Sequence, residues 1–242
     1  YNGNSKVLPV VPNMPVPQGV DYAMWLGPAQ MRAFNPNRFH YEFRWFWDYA
    51  GGLMTDWGVH LIDMVLMGMK AGIPRSVMAT GGKFAYPNDA RETPDILTAL
   101  YDFGDFQMSW EHNMATGMGL YGMGHGIAFI GENGTLLLNR SGWEVKPNND
   151  AIAAIPWTKS QGGGLLPHTA NFIDAVKSRD ATLLKCPVEA AARVAIVSHF
   201  GNVALRSGEK IYWNEAKNKF NSGSANQLIK PDYHNGWKIP RI

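Results

Sequence analysis

Cysteine and charge are both scarce in this sequence. Among its 242 residues the one cysteine is Cys186, so neither an internal disulfide nor a cysteine metal cluster can form. Charged residues make up 17% of the chain, and 22 basic against 20 acidic residues leave a formal net charge of +2. Such a small charge creates no field that would gather a polyanion, so we expect no nucleic-acid partner.

Long apolar runs and common enzyme motifs are also missing. No run reaches the roughly 18 apolar residues that cross a bilayer, and the start lacks a signal peptide's basic and apolar regions, so we expect no membrane partner. The P-loop, H-E-x-x-H, G-x-S-x-G and C-x-x-C motifs are absent, which argues against several common hydrolase and redox classes. Because the chain begins at Tyr1 rather than Met, we expect it to be a piece of a longer protein.

Apolar and aromatic residues are plentiful. They make up 45% and 12% of the chain, with nine Trp, which predicts a globular protein with a large core. Trp and Tyr present flat faces and polar edges that suit sugars, but they also fill cores and interfaces.

The chain divides into an arm and a globular region. Residues 1–20 carry Pro9, Pro12, Pro15 and Pro17, which predicts an extended arm or linker. Residues 21–242 form the second unit. Within it the clearest helix spans residues 52–69, where apolar residues recur at helical spacing between glycine-rich ends.

Strands and further helices follow this first helix. Alternating patterns predict antiparallel strands at 76–84, 96–103, 106–112, 127–130 and 136–138. Two amphipathic helices are predicted at 168–178, with Phe172, Ile173 and Val176 facing inward, and at 188–207. The tail from 212 to 242 reads as irregular.

A glycine pattern at Gly117–Gly122 matches G-x-G-x-x-G, the dinucleotide fingerprint. That fingerprint requires a buried strand before it, a helix after it, and an acidic residue about 20 positions on. Here the preceding strand is polar and more glycines lead into another strand. We therefore interpret the segment as a loop between strands.

The polar residues of the first predicted helix are the strongest candidate site. Asp56, His60 and Asp63 stand at i, i+4 and i+7, which forms one polar stripe on an otherwise apolar helix. A carboxylate one turn before an imidazole can accept from one ring nitrogen and leave the other free for proton transfer. Two alternatives stay open, a capped core helix with a hydrogen-bonded histidine and, less favoured, a metal held by these three residues.

The motif around this stripe is where the sequence resembles a known family. Gly-Gly-x-x-x-Asp-Trp-Gly-x-His-x-x-Asp from Gly51 to Asp63 strongly resembles the Gfo/Idh/MocA oxidoreductases, the glucose-fructose oxidoreductase and inositol dehydrogenase family. The resemblance extends over nearly the whole chain. The segments that carry it are 21–28, 44–49, 168–176, Gly201-Asn202 and Ala225-Asn226.

The resemblance implies an α+β fold, like the second domain of these enzymes and of glyceraldehyde-3-phosphate dehydrogenase. It would be an open, predominantly antiparallel β-sheet with helices packed on one face. In the family this domain docks against a Rossmann domain that binds NAD or NADP and supplies a Glu-Lys-Pro segment. No Glu-Lys-Pro occurs here, since Glu209-Lys210 is followed by Ile211. We therefore expect that the Rossmann domain is absent and that this chain alone is inactive.

The resemblance also implies a reaction and a set of site residues. We expect hydride transfer at a carbinol carbon of a sugar or polyol, with His60 as acid/base and Asp56 supporting it. Expected substrate contacts come from Arg44, Trp45, Trp47, Tyr49 and His168, although a core or interface role suits the aromatic residues equally well.

Two further readings of function remain. One is an NAD-dependent glycosidase or lyase of the same family, and the other is a non-catalytic carbohydrate-binding or oligomerisation module. We also expect a homo-oligomer that pairs through the sheet face, as the family's fold allows.

Overall fold

The computed structural model describes residues 1–3 and 5–239, and it has an α+β architecture. Its α-helices are α1 (Tyr22–Leu26), α2 (Leu53–Asp56), α3 (Gly58–Met69), α4 (Leu165–Ser178), α5 (Val188–Ser207) and α6 (Gly223–Leu228). Its strands are β1 (Ser76–Gly82), β2 (Ile96–Asp102), β3 (Gln107–Asn113), β4 (Ile127–Ile130), β5 (Gly134–Asn139), β6 (Gly142–Pro147), β7 (Ile155–Lys159), β8 (Ile211–Asn214) and β9 (Lys219–Phe220).

The strands form two antiparallel sheets. In the described residues the larger sheet has five strands in the order β3-β2-β1-β8-β9, and the smaller has four in the order β4-β5-β6-β7. Strands β2 and β3, and β4 and β5, pair through short turns as the alternating sequence patterns predict, whereas β1 and β2 pair across the longer connection 83–95. The predicted α+β fold with antiparallel sheets is confirmed. The two sheets are not joined, because β3 and β4, which are edge strands of the two sheets, do not pair with each other in the described residues.

The main core lies between the larger sheet and helices α3 and α5. Helix α5 packs on β1 and β2, and α3 packs beside α5. The buried side chains at this contact come from both layers: Leu61, Ile62, Leu66, Val77, Leu97, Ala99, Tyr101, Val197, Phe200, Val203 and Ala204. Burial of so much apolar surface fixes the helices over one face of the sheet.

Several sequence predictions need correction. The single helix predicted over 52–69 is two helices, α2 and α3, with a break at Trp57. The tail predicted as irregular contains β8, β9 and α6 as far as it is described, and residues 240–242 lie outside the described residues. Its strands were missed because each is short and because β8, on which β9 pairs, is itself paired with β1, far away in sequence.

Helix α4 is present, but its apolar side chains do not face inward as predicted. Phe172, Ile173 and Val176 are 55%, 42% and 44% exposed. Helical spacing indicates which residues share a face but not whether anything covers that face. Among the described elements α4 packs mainly on the short helical turn at 181–183.

The proline-rich segment at the start lies against the globular part without helix or strand from residue 5 to residue 16. Its backbone oxygens accept bonds from buried or half-buried side chains, with Tyr86 Oη donating to Ser5 O at 2.6 Å and Arg91 Nη2 donating to Lys6 O at 2.7 Å. Arg91 is itself paired with the buried Asp89. No helix in the described residues combines the length and apolarity that spanning a membrane requires.

A buried histidine on β3 makes the fold sensitive to acid. Trp110 Nε1 donates to His112 Nδ1 at 3.1 Å, so the proton of the neutral ring sits on Nε2, which faces Pro94 O at 3.3 Å. Burial is the main cause that lowers the pKa of His112 from 6.5 to about 4. The unfolded chain therefore binds this proton more readily than the folded chain does.

We expect the free energy of unfolding to fall by about 2 kcal/mol through His112 alone as the pH drops from about 7.5 to about 5. The stabilising difference is complete above the unfolded pKa and disappears as the pH falls toward the folded pKa. Urea unfolding at both pH values, for the natural chain and for His112→Gln, measures this contribution. An NMR titration that places the pKa of His112 near 6.5 would contradict the assignment.

Candidate functional site

The start of α2 is fixed by two glycines and one buried asparagine. Gly52 has a φ of +62°, and a Cβ there would lie 2.6 Å from Thr93, so a larger residue would be strained and would clash. The amide Nδ2 of Asn202, which lies on α5, donates to Gly51 O at 2.8 Å. This contact ties the site-bearing helices to the main core helix.

A close approach between helices lies directly beneath this contact. A Cβ on Gly201 would fall 2.5 Å from Tyr101 Oη and 2.7 Å from Met54 Sδ, so only glycine lets α5 come this near. The same packing brings Ser198 Oγ within 3.4 Å of the Cβ position of Gly58. Gly201 therefore serves helix packing, whereas the distance at Gly58 is an ordinary van der Waals contact.

The break at Trp57 separates the two candidate catalytic residues. Asp56 ends α2, His60 lies in the first turn of α3, and His60 N donates to Trp57 O at 3.1 Å in a tightened turn. Within the described residues no hydrogen bond joins Asp56 to His60. The direct carboxylate–imidazole pairing predicted from the spacing is therefore absent.

Asp56 pairs with arginine instead. Arg44 Nη1 lies 3.1 Å from Asp56 Oδ2, and both side chains are less than one third exposed. The guanidinium also lies 3.8 Å from the centroid of the Tyr41 ring, and its Nε donates to Tyr41 O at 3.0 Å. The sequence placed Arg44 and Asp56 at one site without predicting that they bind each other.

His60 is exposed and its ring meets the edge of Trp57, with centroids 6.0 Å apart. The same Trp57 contacts His125 at 4.8 Å and lies 5.2 Å from the guanidinium of Arg140. Burial, and then the positive charge of Arg140, lower the pKa of His125, which favours its neutral form. The Trp57 ring is thus in contact with three basic side chains, those of His60, His125 and Arg140.

Sequence reasoning did not find His125 or Arg140. Both come from the region around β4 and β5, more than sixty residues away in sequence, and neither has a spacing that indicates a site. They join the cluster only because the smaller sheet packs beside α3.

The aromatic candidates upstream of α2 differ in position. Trp45 is 7% exposed and its Nε1 donates to Glu42 Oε2 at 2.6 Å, which is a core role. Tyr49 packs on Trp25 at 5.0 Å, and burial raises the pKa of its hydroxyl to about 12. Trp47 is half-buried, with the Arg206 guanidinium 4.8 Å from its ring. Trp45 is therefore core and the hydroxyl of Tyr49 is buried, whereas Trp47 is partly exposed.

His168 lies on the exposed helix α4. In the part of the chain that the structure describes, no hydrogen bond or ring contact links it to Asp56 or His60. Asp63 is exposed on α3, and the described residues contain no group of three His, Cys, Asp or Glu that could hold a metal ion. The metal alternative for Asp56, His60 and Asp63 therefore has no support from the geometry.

We expect Asn202→Ala to lower the free energy of unfolding by about 1–3 kcal/mol, because it leaves Gly51 O buried without its donor. Asn171→Ala is the control, since Asn171 is also helical but makes its two backbone bonds at an exposed position, donating to Leu183 O at 2.7 Å and accepting from Lys185 N at 3.0 Å. Urea unfolding measures both variants. An equal loss of unfolding free energy in the two variants would show that the buried Asn202 contact stabilises the fold no more than an exposed one.

Comparison with known proteins finds one family match. Residues 5–95 match a family model of the Gfo/Idh/MocA group, described as an oxidoreductase family, C-terminal alpha/beta domain. That range is less than half of the chain, and it contains Arg44, Asp56 and His60 but not His168. No curated protein sequence matches the chain.

Solved structures match the fold more widely. A presumed NADPH-dependent oxidoreductase from Desulfitobacterium hafniense is 17% identical with a TM-score of 0.55, over 70% of this chain and 51% of that one. An NAD-binding protein from Listeria innocua is 16% identical with a TM-score of 0.52, over 71% and 54%. GenD2 from gentamicin A biosynthesis, in complex with NAD, is 19% identical with a TM-score of 0.50, over 70% and 51%.

The likeness to these solved structures concerns the fold alone. The chain spans about half the length of the solved proteins that it matches. Over its first part it is similar to the C-terminal domain of oxidoreductases, and its fold is similar to proteins linked to NAD or NADPH.

Proposed function

We propose that this chain is the substrate-binding part of an NAD(P)-dependent oxidoreductase that acts on a sugar or polyol. The observation that carries the proposal is the exposed His60 beside the Arg44–Asp56 pair, inside the range that matches the oxidoreductase C-terminal domain. An acid/base group, a paired carboxylate and an aromatic surface together suit a hydroxylated substrate.

The residues of this chain do not fit a dinucleotide. The Gly117–Gly122 pattern lies in the connection from β3 to β4, and its last three residues form a short 3-10 turn rather than the start of an α-helix. Pyrophosphate binding by such a motif depends on the helix that follows it. We therefore propose that the cofactor is held by another domain of a longer protein, which leaves His60 exposed here.

The chemistry divides between this chain and that domain. Bound to that domain, a nicotinamide would supply hydride exchange at the carbinol carbon of the substrate. His60 takes the hydroxyl proton as that carbon is oxidised, and it returns the proton to the oxygen in the reverse direction. Asp56 supports the site from the end of α2 without a hydrogen bond to His60, and Arg44 holds its carboxylate in place.

Trp57 positions the histidine. The Trp57 ring contacts the rings of both His60 and His125. It therefore restricts rotation of the His60 side chain toward it. Trp47, which is accessible, is the aromatic side chain upstream of α2 that we propose to contact the substrate.

We expect His60→Ala to lower kcat/KM of the longer protein by about 10²–10⁴-fold, because general acid/base catalysis supplies about that much. Asp56→Asn should cost less, on the order of 10-fold, since Asp56 pairs with Arg44 and transfers no proton itself. Steady-state kinetics with NAD or NADP and a panel of sugars and polyols measures both. Asp63→Asn, an exposed carboxylate on the same helix, is the control and should leave kcat/KM unchanged.

Near-normal kcat in both His60→Ala and Asp56→Asn would contradict the catalytic assignment. Products in which a glycosidic or neighbouring bond is cleaved, rather than oxidised sugar, would favour the glycosidase or lyase alternative. Sugar binding that is independent of His60, with no turnover in the longer protein, would favour a binding module.

We expect the 242-residue chain alone to bind NAD and NADP very weakly, with no turnover, because hydride transfer needs the two reactants held in contact. Isothermal calorimetry with each nucleotide tests this directly, with the longer protein as the positive control. Micromolar or tighter binding to the 242-residue chain would contradict the two-domain proposal.

A further inference from the structure

A cleft of about 730 Å³ lies between the two sheets. Strands β3 and β4 form its long walls, and Leu61, Val65 and Met69 of α3 line its apolar floor. In the described residues, β3 pairs along its length only with β2, and β4 pairs only with β5. Each strand therefore has one edge whose backbone groups lack strand partners over most of its length.

The unpaired edge of β3 faces the cleft. Alternate residues of an antiparallel strand direct their backbone groups to opposite sides. Asn113 N donates to Tyr1 O at 2.9 Å and Asn113 O accepts from Gly3 N at 3.0 Å, so Asn113 faces away from β2. By alternation Ser109 and Glu111 face the same way, and both line the cleft.

The unpaired edge of β4 faces the same cleft from the other side. Gly131 N donates to Gly134 O at 2.9 Å, which places Gly131 on the β5 side of the ladder. By alternation Phe129 also faces β5, whereas Ala128 and Ile130 face away from it. Both of these outward residues line the cleft.

Residues 1–3 already occupy one end of this cleft as a single strand. Asn2 forms a parallel bridge with Asn113, and Tyr1 N lies 2.6 Å from Glu111 O. On the opposite side Asn2 N donates to Gly124 O at 2.6 Å. One extended segment thus reaches both walls, which shows that the gap at this end is one strand wide.

We infer that the residues directly before Tyr1 in the longer protein continue this strand through the cleft and join the two sheets into one. The inference rests on the proposal that the chain is part of a longer protein. Roughly five residues, at about 3.3 Å each, would run parallel to β3 and antiparallel to β4. The residue two before Tyr1 bonds to Glu111 N and Ser109 O, and the residue three before Tyr1 pairs with Ala128.

The apolar residues at the floor of the cleft determine which side chains of this strand are apolar. The Tyr1 ring packs on Trp57 with centroids 4.5 Å apart, so Tyr1 faces the helix layer. Residues two and four before Tyr1 share that face and lie over Val65 and Met69. Both are therefore apolar, and the residues between them face the side of the sheet that Ser109 and Glu111 occupy.

Hydrogen exchange of backbone amides tests the inference without a substitution. The rates are compared, residue by residue, between the 242-residue chain and the chain lengthened by its natural upstream residues. We expect the amides of Ser109, Glu111 and Ala128 to exchange at least ~10-fold more slowly in the lengthened chain, because they gain strand partners. Amides of Met108 and Trp110, which face β2 in both chains, are the internal control.

Equal rates at Ser109 and Ala128 in the two chains would overturn the inference. Slow exchange in the lengthened chain that is lost on dilution would also overturn it, since a second copy and not the upstream residues would then fill the cleft. The result is separable from the proposed function. Protected cleft amides in a longer protein without oxidoreductase activity would support the strand and contradict the activity.

Discussion

The contact between α2 and α5 is the constraint on which the site depends. Asn202 donates a hydrogen bond to Gly51 O. Gly201 leaves space for the side chains of Tyr101 and Met54. Gly52 has a positive φ and lies against Thr93. Because no side chain larger than hydrogen fits at these glycines, the first turn of α2 has one position relative to the core. The positions of Asp56 and Trp57 are fixed with that turn. The position of His60 follows from its contact with Trp57.

The site is built on a helix break rather than on a helix face. A continuous helix would place Asp56 one regular turn before His60 and leave the carboxylate free to pair with the imidazole. The tightened turn at Trp57 and the neighbouring Arg44 change this, since Arg44 takes the carboxylate and Trp57 lies beside the ring. Among the described residues the imidazole has no hydrogen bond to the carboxylate, and it stays exposed.

If the chain is part of a longer protein, as proposed, a preceding domain explains both the division of the sheet and the exposure of the site. The chain spans about half of each solved protein that it resembles, and besides the α4 face its uncovered features include His60 and the cleft between β3 and β4. A preceding domain would cover the histidine, and the connection to that domain would pass through the cleft as a strand. Both features are then consequences of one missing neighbour rather than independent irregularities.

The sequence by itself determined the fold class, most strand and helix positions, and the place of Asp56 and His60. These follow from apolar periodicity, from glycines at turns and from a local motif, all of which act over a few residues. Only the tertiary structure decided that Arg44 binds Asp56, that Trp45 is core, that the α4 face is uncovered and that His125 and Arg140 approach Trp57. Those contacts join residues that are far apart in the chain or depend on what covers a face, and local sequence patterns carry no information about either.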